Sequence, residues 1–281
     1  MTTELQQHEK VCLSLNKCVY RTGYSLMTKP YDQRNHIVGL EKGLAVIECF
    51  DADHKKLTIA EVAVAIGLSR AAARRCLLTL THLGYAEYDG KFFRLTVHAM
   101  RLGYAYLAST TNPQILQTFV ERLSEETNES SSAAILDGNE MVYVARAAVK
   151  RILAINVSVG TRLPLYCTSL GRVLLAGLDP ADAEMRLEST PRTEYTEHTI
   201  TSLPELRRQL AQVRTGGYCL VEEELQLGLI SLAVPVFNSA GQTVASICVG
   251  SRPHRMTAKQ MLKDYLPKLL RAQEDLSSLI Q

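Results

Sequence analysis

The chain lacks any hydrophobic run that approaches the ~18 residues required by a transmembrane helix. Its first residues include Glu4 and Glu9 and no continuous apolar segment, which argues against a secretory signal. The seven cysteines contain no C-x-x-C pair, and the seven histidines show no H-E-x-x-H or Cys2His2 spacing. We therefore expect a cytoplasmic protein with reduced cysteines, no membrane partner, no metal site and no other cofactor.

Familiar catalytic and nucleotide-binding motifs are also missing. The sequence contains no G-x-S-x-G, no P-loop and no G-x-G-x-x-G. The acidic run at residues 222–224 could indicate metal or acid–base chemistry, but adjacent residues of an extended segment point to alternate faces and do not converge on one ion. We interpret this run as a solvated loop or a structural ion pair, and the residues predict no enzyme.

Neither sign of charge is in large excess, and the net charge is only +2. With 46% hydrophobic and 21% charged residues, the composition excludes global disorder and coiled-coil character. A length of 281 residues predicts two domains, at ~150 residues for each. The average charge conceals a segment, residues 67–86, that carries three arginines and no acid. A local basic patch of this kind is what contact with nucleic-acid phosphates requires.

A helix-turn-helix pattern occupies the first hundred residues. A first helix is predicted by apolar residues at helical spacing: Leu40, Leu44, Ile47 and Phe50. Thr58 and Glu61 have the spacing of a capping box and begin a second helix, which Gly67 ends in a left-handed conformation. Ser69 caps a third helix that runs to about residue 83. Two short helices joined by a tight turn with a glycine are typical of the motif.

The third helix has two faces. Its apolar side is predicted to contain Ala73, Cys76, Leu77, Leu80 and Leu83. The opposite arc begins at the cap and carries the predicted DNA-binding residues Ser69, Arg70, Ala71, Arg74 and Arg75. An arginine guanidinium can donate two hydrogen bonds to guanine or bridge phosphates, and alanine permits a close approach to the bases. The alternative is that these arginines form a solvated face only.

A hairpin is predicted next, because Asp89-Gly90 lies between two alternating runs. A hairpin after a recognition helix makes a winged helix-turn-helix, and Lys91 and Arg94 are placed to contact backbone phosphate. For Arg94, an ordinary surface position on the strand is the alternative. A further helix is predicted over residues 97–107 and ends before Pro113.

The remaining residues alternate between helix and strand patterns, which predicts a mixed domain with a mainly antiparallel sheet. Predicted strands cover residues 132–136, 141–146, 153–159, 230–237 and 243–249. Predicted helices cover residues 115–127, 168–178, 203–213 and 257–280.

Two segments of this second domain are candidates for ligand binding. Thr168 and Ser169 open a helix, where hydroxyls and exposed amides suit a carboxylate, and Gly171 would let a ligand approach the backbone closely. The alternative is that Thr168 or Ser169 only caps the helix. The second segment, residues 217–231, ends at Ser231, a small polar residue that could line a pocket.

The order of these motifs resembles the IclR family of bacterial transcriptional regulators over residues 38–279. The N-terminal resemblance rests on GLEKGLAVI (39–47), TIAEV (58–62), GLSRAAARRCL (67–77) and LGY (83–85). The C-terminal resemblance rests on GTRLP (160–164), TSLGR (168–172), EEELQLG (222–228) and AVPVF (233–237). The stretches RAAARRC (70–76) and RLPLYCTS (162–169) are most similar to the subgroup that controls protocatechuate and 4-hydroxybenzoate catabolism.

The resemblance implies a fold and a set of site residues. It implies an α/β chain with an N-terminal winged helix-turn-helix domain and a C-terminal α+β, GAF-like effector domain. The implied boundaries are an irregular extension at 1–36, the DNA-binding domain at 37–96, a linker helix at 97–112 and the effector and oligomerisation domain at 113–281. The predicted effector-binding residues, from the motifs and the resemblance together, are Thr168, Ser169, Leu170, Gly171, Val221, Leu229, Ser231, Cys248 and Gly250. Val221 and Ser231 depart from the acidic residue and the thiol that other members often have.

The function implied is DNA-binding regulation of an aromatic catabolic operon in response to a small organic acid, either an aromatic acid such as protocatechuate or β-ketoadipate. The partners implied are palindromic double-stranded operator DNA, the effector and further copies of the chain in a homodimer or homotetramer, with RNA polymerase as a candidate. Two alternatives stay open: an enzyme acting on a small carboxylate, and a ligand sensor that acts through protein partners.

Overall fold

A computed structural model describes residues 33–51, 53–109, 112–149 and 157–280 of the chain. The chain divides into two compact units between residues 109 and 110. In the described part of the chain, no helix combines the length and the apolar character that crossing a membrane would require.

The first unit begins with three helices. After a short 3-10 turn at Gln33–Asn35, their bounds are Val38–Glu48 (α1), Ile59–Ala65 (α2) and Arg70–His82 (α3). The predicted capping box is confirmed, because Thr58 Oγ1 accepts from the Glu61 amide and the Glu61 carboxylate accepts from the Thr58 amide at 2.7 Å. Gly67 has a φ of 64°, as the predicted left-handed turn requires. The Ser69 side chain caps α3 by accepting from the Ala72 amide.

The core of this unit lies where the three helices meet the hairpin. Val46, Val62, Leu77 and Phe93 are almost completely buried there. One expectation for the apolar face of α3 is wrong, because the Leu83 side chain is 56% exposed. The spacing of Leu40 and Leu44 correctly predicted a helix, but both side chains are exposed, and α1 contributes Val46 to the core.

The predicted hairpin is present and short. Strands β1 (Ala86–Tyr88) and β2 (Phe93–Leu95) pair antiparallel, and Gly90 in the connecting turn has a φ of 102°. Leu57 forms an additional bridge to Phe93, which ties the segment before α2 to the wing. The helix predicted over residues 97–107 begins as a 3-10 turn, Val97–Ala99, and continues as α4, Met100–Ser109.

The second unit is built on one six-stranded antiparallel sheet. Its strands are β3 (Ser130–Asp137), β4 (Glu140–Ala147), β5 (Arg162–Pro164), β6 (Cys219–Glu222), β7 (Ile230–Phe237) and β8 (Thr243–Ser251). Their spatial order is β5-β4-β3-β8-β7-β6. The pairing of β3 with β4 contains a bulge next to Ala133 and Ala134, at which Val144 is the extra residue of β4.

Helices cover both faces of this sheet. Their bounds are Asn112–Thr127 (α5), Ser169–Ala176 (α6), Pro180–Ser189 (α7), Leu203–Gly216 (α8), Ala258–Asp264 (α9) and Leu266–Ser277 (α10). On one face, α5, α9 and α10 bury a core with the sheet that includes Leu116, Ile247 and Leu269. On the other face, α6, α7 and α8 bury a second core that includes Leu170, Leu206 and Ala233. The pattern of alternating residues in β7 and β8 separates the two cores.

Two expectations for this unit need correction or qualification. The single helix predicted over residues 257–280 is two helices, because Pro267 has no N–H and its ring collides with the carbonyl four residues earlier. Most of the strand predicted at 153–159 lies outside the described residues, and residues 157–159 belong to no strand.

Candidate nucleic-acid interface and ligand pocket

The exposed face of α3 forms one wall of an open groove. Burial of Ala73, Leu77 and Leu80 turns Arg70 and Arg74 outward. The groove measures about 870 Å³, and its lining residues are Thr58, Ile59, Ala60, Arg70, Ala71, Arg74, Tyr88, Gly90 and Lys91. The recognition-helix residues and the wing residue Lys91, which are separated in sequence, thus meet on one surface.

Three other predicted residues lie outside the lining of this groove. The Arg75 side chain is exposed on α3, and the Ser69 hydroxyl is engaged as the helix cap. Arg94 Nε donates to a carboxylate oxygen of Glu87, its cross-strand partner on β1. This pair favours the surface-strand alternative for Arg94, since a guanidinium already paired with a carboxylate is less available to phosphate.

The groove is electrostatically suited to an anion. None of the ion pairs formed among the described residues involves Arg70, Arg74 or Arg75. At the tip of the wing, Asp89 Oδ1 accepts from the amides of Phe92 and Lys91 at 2.7 and 2.9 Å. These donors hold the pKa of the Asp89 carboxyl below its usual range. The carboxylate of Asp89, the single acid of the turn, is therefore occupied by backbone amides and stabilises the loop that carries Lys91.

Thr58 and Tyr88 were not predicted as lining residues. Tyr88 stacks on Phe93 with ring centroids 4.3 Å apart, and its hydroxyl donates to the Gly90 carbonyl. The capping signal located Thr58 in the sequence, but its position beside the arginines depends on the packing of α2 against α3.

A small cavity lies between the sheet and the N-terminus of α6 in the second unit. Its lining residues are Met141, Tyr143, Cys167, Thr168, Ser169, Leu170, Val221, Glu224, Leu225, Leu229 and Ser231. The hydroxyls of Ser169 and Ser231 are 2.6 Å apart. The structure thus brings together the two segments that the sequence singled out.

Two of the predicted effector-binding residues have structural roles. Thr168 Oγ1 accepts from the Gly171 amide at 3.2 Å and donates to the Pro164 carbonyl at 2.8 Å, so this residue caps α6, although it also lines the cavity. A Cβ atom on Gly171 would lie 2.5 Å from the Leu165 backbone. The space beside Gly171 is therefore filled by the protein chain, and the expectation of close approach by a ligand there is wrong.

Replacing Gly171 by alanine is expected to lower the free energy of unfolding by about 1–3 kcal/mol, because backbone atoms of Leu165 would have to move. Chemical denaturation of the full chain measures this loss. Gly216→Ala is the matched control, since a Cβ there meets only the Tyr218 ring at 3.5 Å. Equal stabilities of the two variants would contradict the assignment.

The other predicted positions divide into two groups. Leu170, Val221 and Leu229 line the cavity, whereas Cys248 and Gly250 lie on the same sheet face without lining it. Burial raises the pKa of the Cys248 thiol to about 11, and the nearby Ser231 hydroxyl opposes this shift. Burial likewise raises the pKa of Cys167 to about 12. Both thiols are therefore protonated at neutral pH and behave as small apolar groups.

A buried ion pair joins the lining residue Glu224 to Arg172, a partner that the sequence analysis did not identify. Arg172 Nη2 donates to Glu224 Oε2 at 2.6 Å, with the two side chains 1% and 6% exposed. Arg172 Nε donates to the Tyr166 carbonyl, and the Ile200 amide donates to the same Glu224 oxygen at 3.0 Å. The structural interpretation of the acidic run is confirmed for Glu224. Its partner had no sequence signal, because the two residues are 52 positions apart.

Two family models match the chain. The model "IclR helix-turn-helix domain" matches residues 39–90, and "Bacterial transcriptional regulator IclR C-terminal" matches residues 104–278. The chain is 39% identical to the Pca regulon regulatory protein of Pseudomonas putida over 241 residues, which cover 85% of this chain and 83% of that protein.

Two further proteins show the same similarity. Identity to the p-hydroxybenzoate hydroxylase transcriptional activator of Acinetobacter baylyi is 37% over 251 residues, with 88% and 93% of the two chains covered. A crystal structure of a transcriptional regulator from Rhodococcus sp. RHA1 is 42% identical and superimposes with a TM-score of 0.77, covering 86% of this chain and 98% of that one. The matched models and these relatives are named as regulators, not as enzymes.

Proposed function

Since the chain belongs to the IclR family of bacterial transcriptional regulators, we propose that it controls genes of aromatic-acid catabolism in response to a small aromatic acid. Two observations support this effector class. One relative is named for p-hydroxybenzoate hydroxylase, whose substrate is an aromatic acid, and another for the Pca regulon. The cavity is lined mainly by apolar groups with a few convergent hydroxyls, which is the chemistry that an aromatic acid requires once the cavity widens to admit it.

DNA binding is assigned to residues 37–96. We propose that Arg70, Ala71, Arg74 and Arg75 enter the major groove and that Lys91 contacts backbone phosphate from the wing. The support is the groove that carries Arg70, Arg74 and Lys91 without a paired acid. Arginine donates two hydrogen bonds to guanine O6 and N7, and this contact requires guanidinium groups that are not already in ion pairs.

The DNA-bound form is proposed to be a homodimer or a homotetramer. Apolar side chains of the first unit lie uncovered on α1 and α4: Leu40, Leu44, Met100, Tyr104 and Tyr106. Large exposed apolar groups on two helices indicate a protein interface, and a second copy would satisfy the two-fold symmetry of a palindromic operator. We place the protein in the cytoplasm with its operator, and an activating mode of action would add RNA polymerase as a partner.

The regulatory step requires unequal affinity of the effector for two arrangements of the paired DNA-binding units. We propose that the effector separates the Ser169 and Ser231 hydroxyls and hydrogen-bonds to both. Because α6 begins at Ser169, occupation of the cavity acts directly on the position of this helix.

The effector proposal is tested by thermal shift of the full chain with protocatechuate, 4-hydroxybenzoate and β-ketoadipate. A ligand that binds only the folded protein stabilises it by ~2.7 kcal/mol at a hundred times its Kd, so the aromatic acids are expected to raise Tm. Benzene and acetate serve as controls for the ring and the carboxylate alone. If none of the three acids changes Tm, the proposed effector class is wrong.

An enzyme is not proposed, since the family and the relatives are regulators. A sensor that acts only through protein partners would bind the same acids without binding DNA. Salt-dependent gel shift on a palindromic duplex separates this alternative from the proposal, because phosphate contacts give a steep dependence on salt.

A further inference from the structure

One cation lies on the sheet face that forms the cavity. Arg146 of β4 is paired with Ser132, and Ser132 is paired with Cys248, which faces the same side of the sheet as Ala233. Cross-strand partners project from the same face. Arg146 Nη1 donates to Ser132 Oγ at 3.0 Å, which places its guanidinium on this face.

The bulge in β4 is the reason for that orientation. In a regular strand, residues 143 and 146 would project from opposite faces. Here Ala133 pairs with Ala145 and Ala134 pairs with Tyr143, so Val144 is left as the extra residue. Val144 and Ala145 both face the opposite core, while Tyr143 lines the cavity and Arg146 returns to the cavity side. Bulges often re-aim a side chain at a functional site.

Within the described residues, Arg146 carries a charge that no acid pairs with. None of the ion pairs among the described residues includes Arg146. Its side chain projects from the same sheet face as Tyr143 and Cys248, although Arg146 is not itself a lining residue of the cavity. Tyr143 lines the cavity, and Cys248 neighbours Ser231, which lines it too. A half-buried, unneutralised cation beside an apolar cavity is a recognition group for an anion.

The backbone of Arg146 is also fixed. The side-chain amide of Gln117 on α5 accepts from the Arg146 N–H at 3.0 Å and donates to the Arg146 carbonyl at 3.2 Å. This reciprocal pair holds the strand where β5 no longer covers its edge, since β5 pairs only as far as Val142. The guanidinium is therefore carried by a rigid position.

The opposite end of the cavity has different chemistry. The sheet order places β4 at one side, and β7 and β6 three and four strands away. At that far side lie Ser231 on β7 and Glu224 just beyond β6. Glu224 is a carboxylate, and Arg172 beside it is engaged by Glu224 and by the Tyr166 carbonyl. A second anion would be repelled there, whereas a hydroxyl could donate or accept.

We propose that Arg146 binds the carboxylate of the effector, so that the hydroxyl end of a hydroxybenzoate lies at Ser169, Ser231 and Glu224. Three strand spacings, about 14 Å between backbones, separate β4 from β7, so the two side chains approach the cavity from opposite sides. This polarity selects an aromatic monocarboxylate over a dicarboxylate such as β-ketoadipate. The inference rests on the proposed effector class and adds the orientation of the effector and the residue that recognises its charge.

The test compares three ligands by calorimetric titration of the full chain: 4-hydroxybenzoate, its uncharged analogue 4-hydroxybenzamide, and β-ketoadipate. The wild type is expected to bind the acid about 10- to 100-fold more tightly than the amide, as a charge-assisted contact implies. Arg146→Gln is expected to abolish that preference and to leave the affinity for the amide unchanged. Arg146→Lys should retain part of it, since the charge stays and the planar fork is lost.

A purely structural role of Arg146 would weaken acid and amide together, which contradicts the proposal. The same holds if Arg146→Gln keeps the preference for the acid, or if β-ketoadipate binds the wild type more tightly than 4-hydroxybenzoate. Binding of neither aromatic ligand to the wild type would overturn the effector class itself, and this inference with it. Gln117→Ala is a second variant, in which the preference for the acid should fall. Gln209→Ala on α8 is its matched control and should keep the wild-type preference.

Discussion

Replacing Arg172 by methionine is expected to lower the free energy of unfolding by ~3–5 kcal/mol, because it leaves the Glu224 carboxylate buried without its partner. The Glu224 carboxylate would retain the Ile200 amide as a donor, at 3.0 Å. The Tyr166 carbonyl would also lose the guanidinium that donates to it. Chemical denaturation of the full chain, followed by circular dichroism, measures the loss.

The double variant Arg172→Met with Glu224→Leu separates the charge from the packing. Because two apolar side chains of similar size can replace a buried pair at little cost, the double variant should regain most of the stability. Arg207→Met, at an exposed ion pair with Glu184, is the matched control and should change stability little. If Arg172→Met is no less stable than this control, the pair is not the structural element that its burial indicates.

Arg74→Ala is expected to weaken binding to a palindromic duplex by about 1–3 kcal/mol, or roughly 5- to 150-fold in Kd, if Arg74 reads a base. In that case discrimination is lost at one base pair of each half-site. If Arg74 contacts phosphate instead, binding weakens on every sequence and the slope of log K against log salt falls by about one for each contact. A duplex selected from a random pool by the wild type supplies the probe.

Arg75→Ala tests whether the exposed arginine outside the groove lining takes part as well. Arg208→Ala, an equal change of charge on the exposed face of α8 in the second unit, is the control and should bind as the wild type does. Gel shifts at three salt concentrations provide the affinities and the slopes. Wild-type affinity and slope in both Arg74→Ala and Arg75→Ala would refute the role of α3 as the recognition helix.

The helix-turn-helix and the antiparallel sheet could be predicted because their signals are local. Thr58 and Glu61 are three residues apart, Gly67 ends a helix beside them, and Asp89-Gly90 makes its own turn. Helix ends, turns and alternating strands depend on contacts within a few residues. The exposure of Leu40, Leu44 and Leu83 is also informative: helical spacing shows that an apolar face exists but not how far along the helix another element covers it.

The ligand cavity was only half predictable. Ser169 and Ser231 were selected from their segments, and the structure places their hydroxyls 2.6 Å apart. Gly171 was selected for the wrong reason, because sequence does not show which backbone occupies the space beside a glycine. Tyr143 and Glu224 were missed as lining residues, since a tyrosine in a strand and a glutamate in an acidic run have many ordinary explanations.

The sequence by itself determined the kind of protein: two domains, a recognition helix with an acid-free basic arc, and a sheet domain without catalytic motifs. Those features follow from residue types at short spacing, where the geometry of a helix or a strand is known in advance. Only the tertiary structure decided which charged side chains form ion pairs and which remain available to a ligand. It paired Arg172 with Glu224 across 52 positions, and it turned Arg146 onto the cavity face through one extra residue in β4. Register and long-range pairing depend on the packing of the whole unit, because a shift of one residue reverses every side chain of a strand.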